Sequence, residues 1–300
     1  MRYLFQKPLP GMVAAFCAGL FVPSVSANCL LLHDMDRHGH WIVTVDSHVG
    51  FANFDGSDEY FSGDYMVPAL VSRTSGNLVV AGGDEDWRAS HDLDGTIYGM
   101  SLRASPPLLG NMFTVFLSYA NGTLDGDFNT REVSPFPEGP YHGRVSYDRD
   151  ELEVGVDVQI LNAVYGRLAY SRYEMDGDWR YFGGFDPREP QEYQFEAFEL
   201  GVGFRQDFVS CYSPRLSFGV DAYLAVLFFD YEHKEVDGGR TADSDGAGFK
   251  GRLEANAKYA LTDHTRAVVG VGYLYQSLDD DGIDLTDDGL FIRLGVEASF

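Results

Sequence analysis

Two groups of residues in this chain have the side chains needed for acid–base chemistry. One is the acid pair Asp125-Gly126-Asp127, and the other is Asp230-Tyr231-Glu232-His233. A histidine beside carboxylates can take a proton from a water molecule and so act as a general base. Acid pairs are frequent in this chain, so the simpler interpretation makes Asp125, Asp127, Asp230 and His233 surface residues. This interpretation favours a protein without catalytic activity.

A third acidic segment has side chains suited to a hard metal ion. Asp279, Asp281 and Asp284 lie in a segment that resembles the first half of an EF-hand calcium loop. The segment lacks the closing glutamate of that loop, and no flanking helices are predicted. We therefore interpret it as a solvated acidic loop with divalent cations as weak partners, and we predict no cofactor.

These residues need a scaffold, and the end of the chain indicates which one. From Leu290 to Phe300 every even position is apolar, whereas the odd positions include Arg293 and Glu297. A period of two gives one apolar face, as in a half-buried β-strand. The segment resembles the C-terminal strand of Gram-negative outer-membrane β-barrels. This resemblance implies outer-membrane lipids, lipopolysaccharide and the barrel assembly machinery as partners.

The first 27 residues have the pattern of a secretory signal peptide. Arg2 and Lys7 give a positive start, residues 12–22 are apolar, and Val25-Ser26-Ala27 is a small-x-small cleavage site. The apolar run is shorter than the about 20 residues that a transmembrane helix needs. We predict a signal peptide over 1–27, a periplasmic N-terminal segment over 28–38 and a barrel domain over 39–300.

Alternating segments of about ten residues recur along the rest of the chain, as tilted membrane strands require. The fold class is therefore all-β, a transmembrane antiparallel up-and-down barrel of ten strands, with an extra hairpin at 66–81 giving twelve as the alternative. An even strand number places both termini in the periplasm and the long acidic loops outside the cell. The predicted strands cover residues 40–54, 96–104, 111–120, 151–160, 163–173, 193–208, 214–231, 249–261, 267–276 and 290–300.

In this register a mixed set of charged side chains faces the barrel lumen. A ten-stranded barrel has little room beyond its own side chains, and confined charges must pair or keep water. We predict a filled, nearly neutral lumen, so the negative charge lies in the loops, turns and N-terminal segment. The formal net charge of −24 excludes nucleic acid as a partner. The predicted network comprises Asp46, His48, Arg103, Arg167, Glu199, Arg205, Asp221, Arg252, Glu254, Arg293 and Glu297.

A filled polar lumen favours a structural or narrow porin-like role in the cell envelope. Two alternatives from other classes stay open. The first is an enzyme at the barrel rim, either a lipid-modifying hydrolase or an omptin-like protease, because the acid pair at Asp125 resembles one half of the omptin site. The residues around His233 depart from the omptin Asp-x-His spacing. The second alternative is an adhesin or ligand-binding surface built from the acidic loops.

Two cysteines remain after removal of the predicted signal peptide. Cys29 precedes the first strand, and Cys211 lies in a turn that the strand count places in the periplasm. Both are therefore predicted on the same side of the membrane and in an oxidising compartment, as a disulfide requires. A Cys29–Cys211 disulfide and two separate thiols are the alternatives.

Overall fold

The computed structural model describes residues 30–32, 40–61, 86–107, 112–132, 141–181, 188–235, 240–280 and 283–300. Among these residues no helix is long and apolar enough to span a membrane. The predicted signal peptide lies outside the described residues. The described strands are β1 (Leu30–Leu32), β2 (Ile42–Phe61), β3 (Asp86–Ser105), β4 (Phe113–Glu132), β5 (Tyr141–Gln159), β6 (Val164–Tyr181), β7 (Arg188–Ser210), β8 (Ser213–Glu235), β9 (Arg240–Ala260), β10 (Thr265–Asp280) and β11 (Ile283–Ser299).

Strands β2 to β11 form a closed antiparallel barrel. Each strand pairs with the next one in the chain, and β11 pairs back with β2. Trp41 and Phe300 complete this seam, because the amide of each donates to the carbonyl of the other at 2.8 and 3.0 Å. The predicted all-β barrel of ten strands is confirmed. The alternative hairpin at 66–81 lies outside the described residues and is not needed for closure.

The strand register sets the shape of the barrel. From Phe51, the pairings through β3 to β7 reach β8 at Lys234, whereas those through β11, β10 and β9 reach it at Ala222, twelve residues away. For ten strands, this stagger corresponds to a strand tilt of about 40° and a backbone radius of about 10 Å. Side chains from opposite walls can therefore meet on the barrel axis.

The strands are longer than the sequence prediction. The ten strands of the barrel run from 16 residues in β10 to 23 in β7 and β8. A 20-residue strand that rises about 3.3 Å per residue at this tilt reaches about 50 Å, roughly twice the about 25 Å apolar band of a membrane barrel. Segments that the sequence analysis assigns to acidic loops, such as 121–132 and 174–181, are therefore strand.

The outward face carries an apolar band next to the chain termini. We call this end of the barrel the terminal end and the opposite end the distal end. Tyr119 and Tyr273 mark the distal border of the band, where their hydroxyls donate to Asp150 at 2.5 Å and Asp288 at 2.6 Å. The band includes Val45, Phe51, Met100, Leu102, Val115, Leu117, Leu152, Val154, Leu168, Phe198, Leu200, Val202, Phe218, Val226, Leu253, Val269, Val271, Leu290, Ile292, Leu294 and Val296.

Beyond the band the polarity of the two faces of the sheet is reversed. In the distal half the inward side chains are apolar and the outward ones are mainly carboxylates. We call the inward apolar set the distal core. It consists of Leu93, Leu124, Val145, Tyr147, Tyr173, Met175, Tyr193, Phe195, Ala197, Leu227, Phe229, Tyr231, Leu278 and Leu285. The distal half is therefore built like a water-soluble barrel, and the terminal half like a membrane barrel.

Glycine allows a close approach between strands near this boundary. A Cβ atom at Gly95 of β3 would lie 2.0 Å from the Thr123 carbonyl oxygen of β4, and one at Gly122 would lie 2.3 Å from the Thr96 carbonyl oxygen. Any larger residue there would push the two backbones apart. These glycines let β3 and β4 coil tightly as they leave the apolar band.

Candidate functional site

The lumen of the terminal half is filled by ion pairs. The residues predicted for this network lie on the inward faces of their strands, and His48 lines the same lumen. We call the ion-paired set the lumen network. Among the described residues its carboxylates are Asp46, Glu151, Glu153, Asp157, Glu199, Asp207, Asp221, Glu254, Asp287 and Glu297, and its bases are Arg103, Arg149, Arg167, Arg205, Lys250, Arg252, Lys258, Arg266 and Arg293.

Arg167 of β6 is the centre of this network. Its guanidinium group donates to Glu153 and lies 3.5 Å from Asp157 and 3.8 Å from Glu199. Lys250, from β9, joins the same group, with its ammonium 2.5 Å from Glu199 and 3.6 Å from Glu153. Four strands are thus tied together by two cations and three carboxylates in a space that excludes most water.

Two aromatic rings enclose the same guanidinium group. Arg167 Cζ lies 4.1 Å from the centre of the Phe116 ring and 4.2 Å from that of Tyr223. A cation over an aromatic face gains roughly 0.5–2 kcal/mol, with the larger value in a desolvated site. Since only 4% of Arg167 is exposed, the rings and the carboxylates replace the water that the charge loses.

A second group surrounds Asp221 of β8. The Asp221 carboxylate accepts from Arg205 Nε at 2.8 Å and from the Tyr165 hydroxyl at 2.7 Å, and it lies 3.5 Å from Arg103. Arg205 also donates to Asp157 at 2.9 Å, which links this group to Arg167. Arg103 on β3 reaches across the lumen to β8, so the group braces opposite walls of the barrel.

A third group secures the seam where the barrel closes. Arg293 of β11 donates to Asp46 of β2 at 3.3 Å and pairs with Glu254 of β9. Glu254 also accepts from Arg252 at 2.5 Å, and Ser101 Oγ donates to Asp46 at 2.7 Å. The charged residues of the last strand therefore connect it to the first strand through side chains as well as backbone.

A fourth group lies at the terminal end of the lumen. Lys258 of β9 lies 3.0 Å from Asp207 and 3.2 Å from Glu297, and Arg266 lies 3.4 Å from Glu297. Glu297 is thus the acceptor for two bases. This group links β7, β9, β10 and β11 close to the chain termini.

A fifth group spans the lumen directly beneath the distal core. Arg149 of β5 donates to Asp287 of β11 at 2.5 Å and pairs with Glu151 at 2.6 Å, while its guanidinium lies 4.7 Å from the Tyr173 ring centre. Sequence reasoning missed Arg149 and Asp287, since both fall in segments predicted as loops. The signal was the uninterrupted alternation of Val145, Tyr147, Arg149 and Glu151.

The distal core packs around aromatic pairs. Phe195 stacks on Tyr173 at 4.4 Å and on Phe229 at 5.8 Å, and Tyr147 meets Tyr193 edge-on at 5.3 Å. Phe195, like Leu124 and Leu227, has no exposed surface. Apolar side chains therefore fill the barrel over the distal half, where a pore would need polar walls.

The candidate catalytic residues are not brought together. Asp125 and Asp127 project outward from β4, and Asp230 projects outward from β8, with β5, β6 and β7 between the two strands. Asp127 has Arg144 as a neighbour at 3.7 Å. His233 belongs to β8, but its side chain lies outside the description. Acids on the outside of non-adjacent strands do not form one active site.

The candidate metal ligands lie at the β10–β11 hairpin. Asp279 pairs with Asp284 across the two strands, and Asp281 lies outside the described residues. Within the part of the chain that the structure describes, no group of three or more His, Cys, Asp or Glu side chains is arranged to hold a metal ion. Binding of divalent cations at this hairpin stays a prediction.

The outer wall of the distal half is strongly acidic. Apart from His142, its only basic side chains among the described outward positions are Arg144, Arg172 and Arg180. Divalent cations that bridge this wall to lipopolysaccharide, and an adhesive function of the wall, stay predictions. The outward carboxylates are Asp92, Asp94, Asp125, Asp127, Asp148, Asp150, Glu174, Asp176, Asp178, Glu192, Glu196, Asp230, Glu232, Asp245 and Asp288.

Repulsion within this wall gives one testable pH effect. Partial burial raises the pKa of the Asp176 carboxyl, and four neighbouring carboxylates raise it further. Because the folded protein then holds this proton more tightly than the unfolded chain, lowering the pH through the raised pKa stabilises the fold. The four neighbours are Glu192, Glu174, Asp150 and Asp148.

Asp176→Asn is therefore expected to raise the thermal midpoint at neutral pH and to lose this advantage below the ordinary carboxyl pKa. Melting curves of both proteins at the two pH values measure the difference. Asp263→Asn, which changes an exposed carboxylate in the β9–β10 turn, serves as the control. An equal gain at both pH values would show that charge repulsion at Asp176 is not the cause.

The two cysteines are related by the pairing of β1. This short strand lies on β7 beyond the end of β6, with Leu30 opposite Ser210. Cys29 precedes Leu30 in the chain, and Cys211 follows Ser210. Cys211 is exposed in the β7–β8 turn, and Cys29 lies outside the described residues. The disulfide stays a prediction.

Solved structures with this architecture come from the outer membranes of Gram-negative bacteria. No model of a protein family matches the chain, and no curated protein matches its sequence. The outer membrane protease OmpT of Escherichia coli is 11% identical, with a TM-score of 0.55 over 86% of this chain and 97% of that chain. The translocator domain of the autotransporter NalP of Neisseria meningitidis is 13% identical, with a TM-score of 0.39 over 97% of both chains.

The likeness to OmpT concerns the fold, because an identity of 11% does not show that the two chains share functional residues. The closed ring of ten antiparallel strands with an apolar outer band is the architecture of an outer-membrane β-barrel. The chain therefore has the fold of the Gram-negative outer-membrane β-barrels, as its sequence predicts.

Proposed function

We propose that this protein is an integral outer-membrane β-barrel with a structural role in the cell envelope, and that its lumen is closed to solutes. The observation that carries this proposal is the distal core. Its side chains occupy the inside of the barrel over the half that lies beyond the apolar band. A porin needs a continuous polar passage through both halves.

The lumen network supports the same conclusion. Side chains from opposite walls pair on the axis, as Arg149 does with Asp287 and Arg103 with Asp221. An ion that passed through would have to displace these pairs, and separating a buried pair costs several kcal/mol. The predicted narrow porin-like path would therefore be blocked at two levels, first by ion pairs and then by apolar packing.

The orientation follows from the same proposal. The terminal end faces the periplasm in this proposal, since the ring has an even number of strands and Trp41 and Phe300 lie together at that end. The distal half then stands outside the membrane, beside the sugars and phosphates of lipopolysaccharide. Its acidic outer wall keeps it hydrated there, and its apolar interior keeps it folded without support from lipid.

Single-channel recording in planar lipid bilayers tests the proposal. We expect no conductance steps from the folded protein, even at voltages where narrow barrels conduct. A ten-stranded barrel of known conductance, reconstituted at the same protein-to-lipid ratio, shows that insertion has succeeded. Reproducible steps from the wild-type chain would contradict a closed lumen and restore the porin-like interpretation.

OmpT is described as a protease, but protease activity is not part of the proposal for this chain. The candidate residues Asp125, Asp127 and Asp230 project from the outside of strands that are not neighbours. If the purified protein hydrolysed peptides and Asp127→Ala abolished that hydrolysis, protease activity would have to be added to the proposal.

A further inference from the structure

A chamber remains inside the barrel among the side chains of the lumen network, on the terminal side of the distal core. Its volume is about 140 Å³. A single water molecule needs only about 10–15 Å³ measured in this way, so the chamber has room for a small ion with several waters. Arg149, Ser171 and Gln276 line it from three different strands.

Every buried polar atom around this chamber that lacks a partner can donate a hydrogen bond. Arg149 Nε and Nη1, Gln276 Nε2 and Ser171 Oγ have no hydrogen-bond partner among the described residues. These side chains are 3%, 6% and 8% exposed, so bulk water does not reach them. A buried donor that is left unsatisfied destabilises the fold, and a charged donor does so more strongly. The donors therefore favour an occupant that accepts hydrogen bonds.

The unpartnered acceptors of the lumen lie elsewhere. Glu199 Oε2 and Asp157 Oδ1 also lack hydrogen-bond partners among the described residues, but neither residue lines the chamber. Arg293 Nε is an unsatisfied donor outside the chamber, but every unsatisfied carboxylate oxygen among the described residues belongs to a side chain that does not line it. A cation would need the opposite arrangement.

The charge of the chamber wall agrees with this sorting. Among the inward-facing side chains that line it, five are arginine or lysine, one is His48 and four are carboxylates, although the described lumen network as a whole has one more acid than base. The lining side chains alone therefore carry one more positive charge than negative ones, while Asp157, Glu199, Asp221 and Glu254 pair with four of these bases without lining the chamber. A single negative charge inside it would neutralise the wall.

We propose that this chamber binds one small monovalent anion of the halide type. Arg149, Gln276 and Ser171 donate to it, and the distal core separates it from the outside. The ion enters while the barrel folds, because the ion pairs and the distal core close both routes afterwards. It thereby completes the hydrogen bonds of buried donors that the chain itself leaves unsatisfied.

Bromide is the probe, since it substitutes for chloride and scatters anomalously. The protein is refolded from denaturant in sodium bromide and crystallised, and an anomalous peak is expected within hydrogen-bond distance of Arg149 and Gln276. Refolding in bromide is also expected to raise the thermal midpoint over refolding in sodium gluconate at equal ionic strength, because an ion bound only to the folded state stabilises it. A chamber with ordered water and no anomalous peak would overturn the proposal, as would equal midpoints.

Variants separate a specific site from a general salt effect. Ser171→Ala and Gln276→Leu each remove one donor, and both are expected to abolish or halve the bromide-dependent shift. Ser118→Ala is the matched control, because this hydroxyl lines the same chamber but already donates to the Met100 carbonyl at 3.5 Å. If Gln276→Leu does not fold, Ser171→Ala carries the test. An unchanged shift in Ser171→Ala, together with a lost shift in Ser118→Ala, would contradict the assignment.

Discussion

Arg167→Met is expected to destabilise the folded barrel by about 3–5 kcal/mol, because it removes one side of a buried ion network and leaves the other side in place. Glu153, Asp157 and Glu199 converge on this guanidinium group from β5 and β7. Lys250 would remain as their nearest cation, and it can neutralise only part of their charge. The rings of Phe116 and Tyr223 would also lose the cation that they enclose.

The loss is measured by urea unfolding in lipid vesicles. The fraction folded is read from the different mobility of folded barrels on gels of unboiled samples. Arg144→Met is the control, since this arginine is exposed on the outer wall at 3.7 Å from Asp127 and should contribute less than about 1 kcal/mol. A loss from Arg167→Met no larger than that of the control would show that the network is solvated and weak.

A double variant tests whether the loss of stability in Arg167→Met comes from unbalanced charge or from lost packing. Adding Glu199→Gln to Arg167→Met removes one of the carboxylates that the first substitution leaves without this arginine. It is expected to recover part of the lost stability, because the buried excess of negative charge becomes smaller. If packing around Arg167 were the main contribution, the second substitution would lower stability further.

The terminal half of the barrel was predictable because a single rule governs it. Lipid on one side and a confined lumen on the other force alternation, so Val45 and Val296 are apolar while Asp46 and Arg293 are charged. Strand number, closure between the first and last strands and the inward set followed from that rule. Which acid pairs with which base did not follow, since long side chains such as Arg103 and Arg149 cross the lumen to strands that are distant in the ring.

The distal half was not predictable from the same rule, for a physical reason. There the outward side chains face water and the inward ones are apolar. Polar and apolar residues still alternate, but the apolar ones now face inward. In β7, Phe198 faces outward within the band, while Phe195, three residues nearer the distal end, faces inward. A prediction based on apolar outward faces ends each strand at this reversal. It therefore assigns the acidic continuation of the strand to a loop.

The candidate catalytic acids show the same limit of prediction from sequence. Asp125-Gly126-Asp127 looks like a catalytic pair in the sequence, yet both acids project outward because the intervening Gly126 takes the inward position. Strand parity, applied beyond the predicted end of β4, would have placed them on the outer wall. The chamber beneath the distal core had no sequence signal, because it depends on where side chains from opposite walls fail to meet.

Phe195→Ala is the second change with a large expected effect, a loss of about 3–5 kcal/mol. Its ring has no exposed surface and stacks on Tyr173 and Phe229, so alanine would leave a cavity that the stiff strands cannot close. Phe198→Ala is the matched control on the same strand, because Phe198 is 61% exposed within the apolar band and its removal leaves no internal cavity. Unfolding in urea under the same conditions compares the two.

This comparison also bears on whether the lumen is closed by packing. If the distal core is a tightly packed interior, Phe195→Ala must cost clearly more than Phe198→Ala, and a cavity must appear next to the chamber. Conductance measured on the same variant adds a second readout, since a weakened core would admit brief openings that the wild-type protein lacks. Equal losses from the two substitutions, with silent recordings from both variants, would mean that the lumen network alone closes the barrel and that the distal core contributes little to either property.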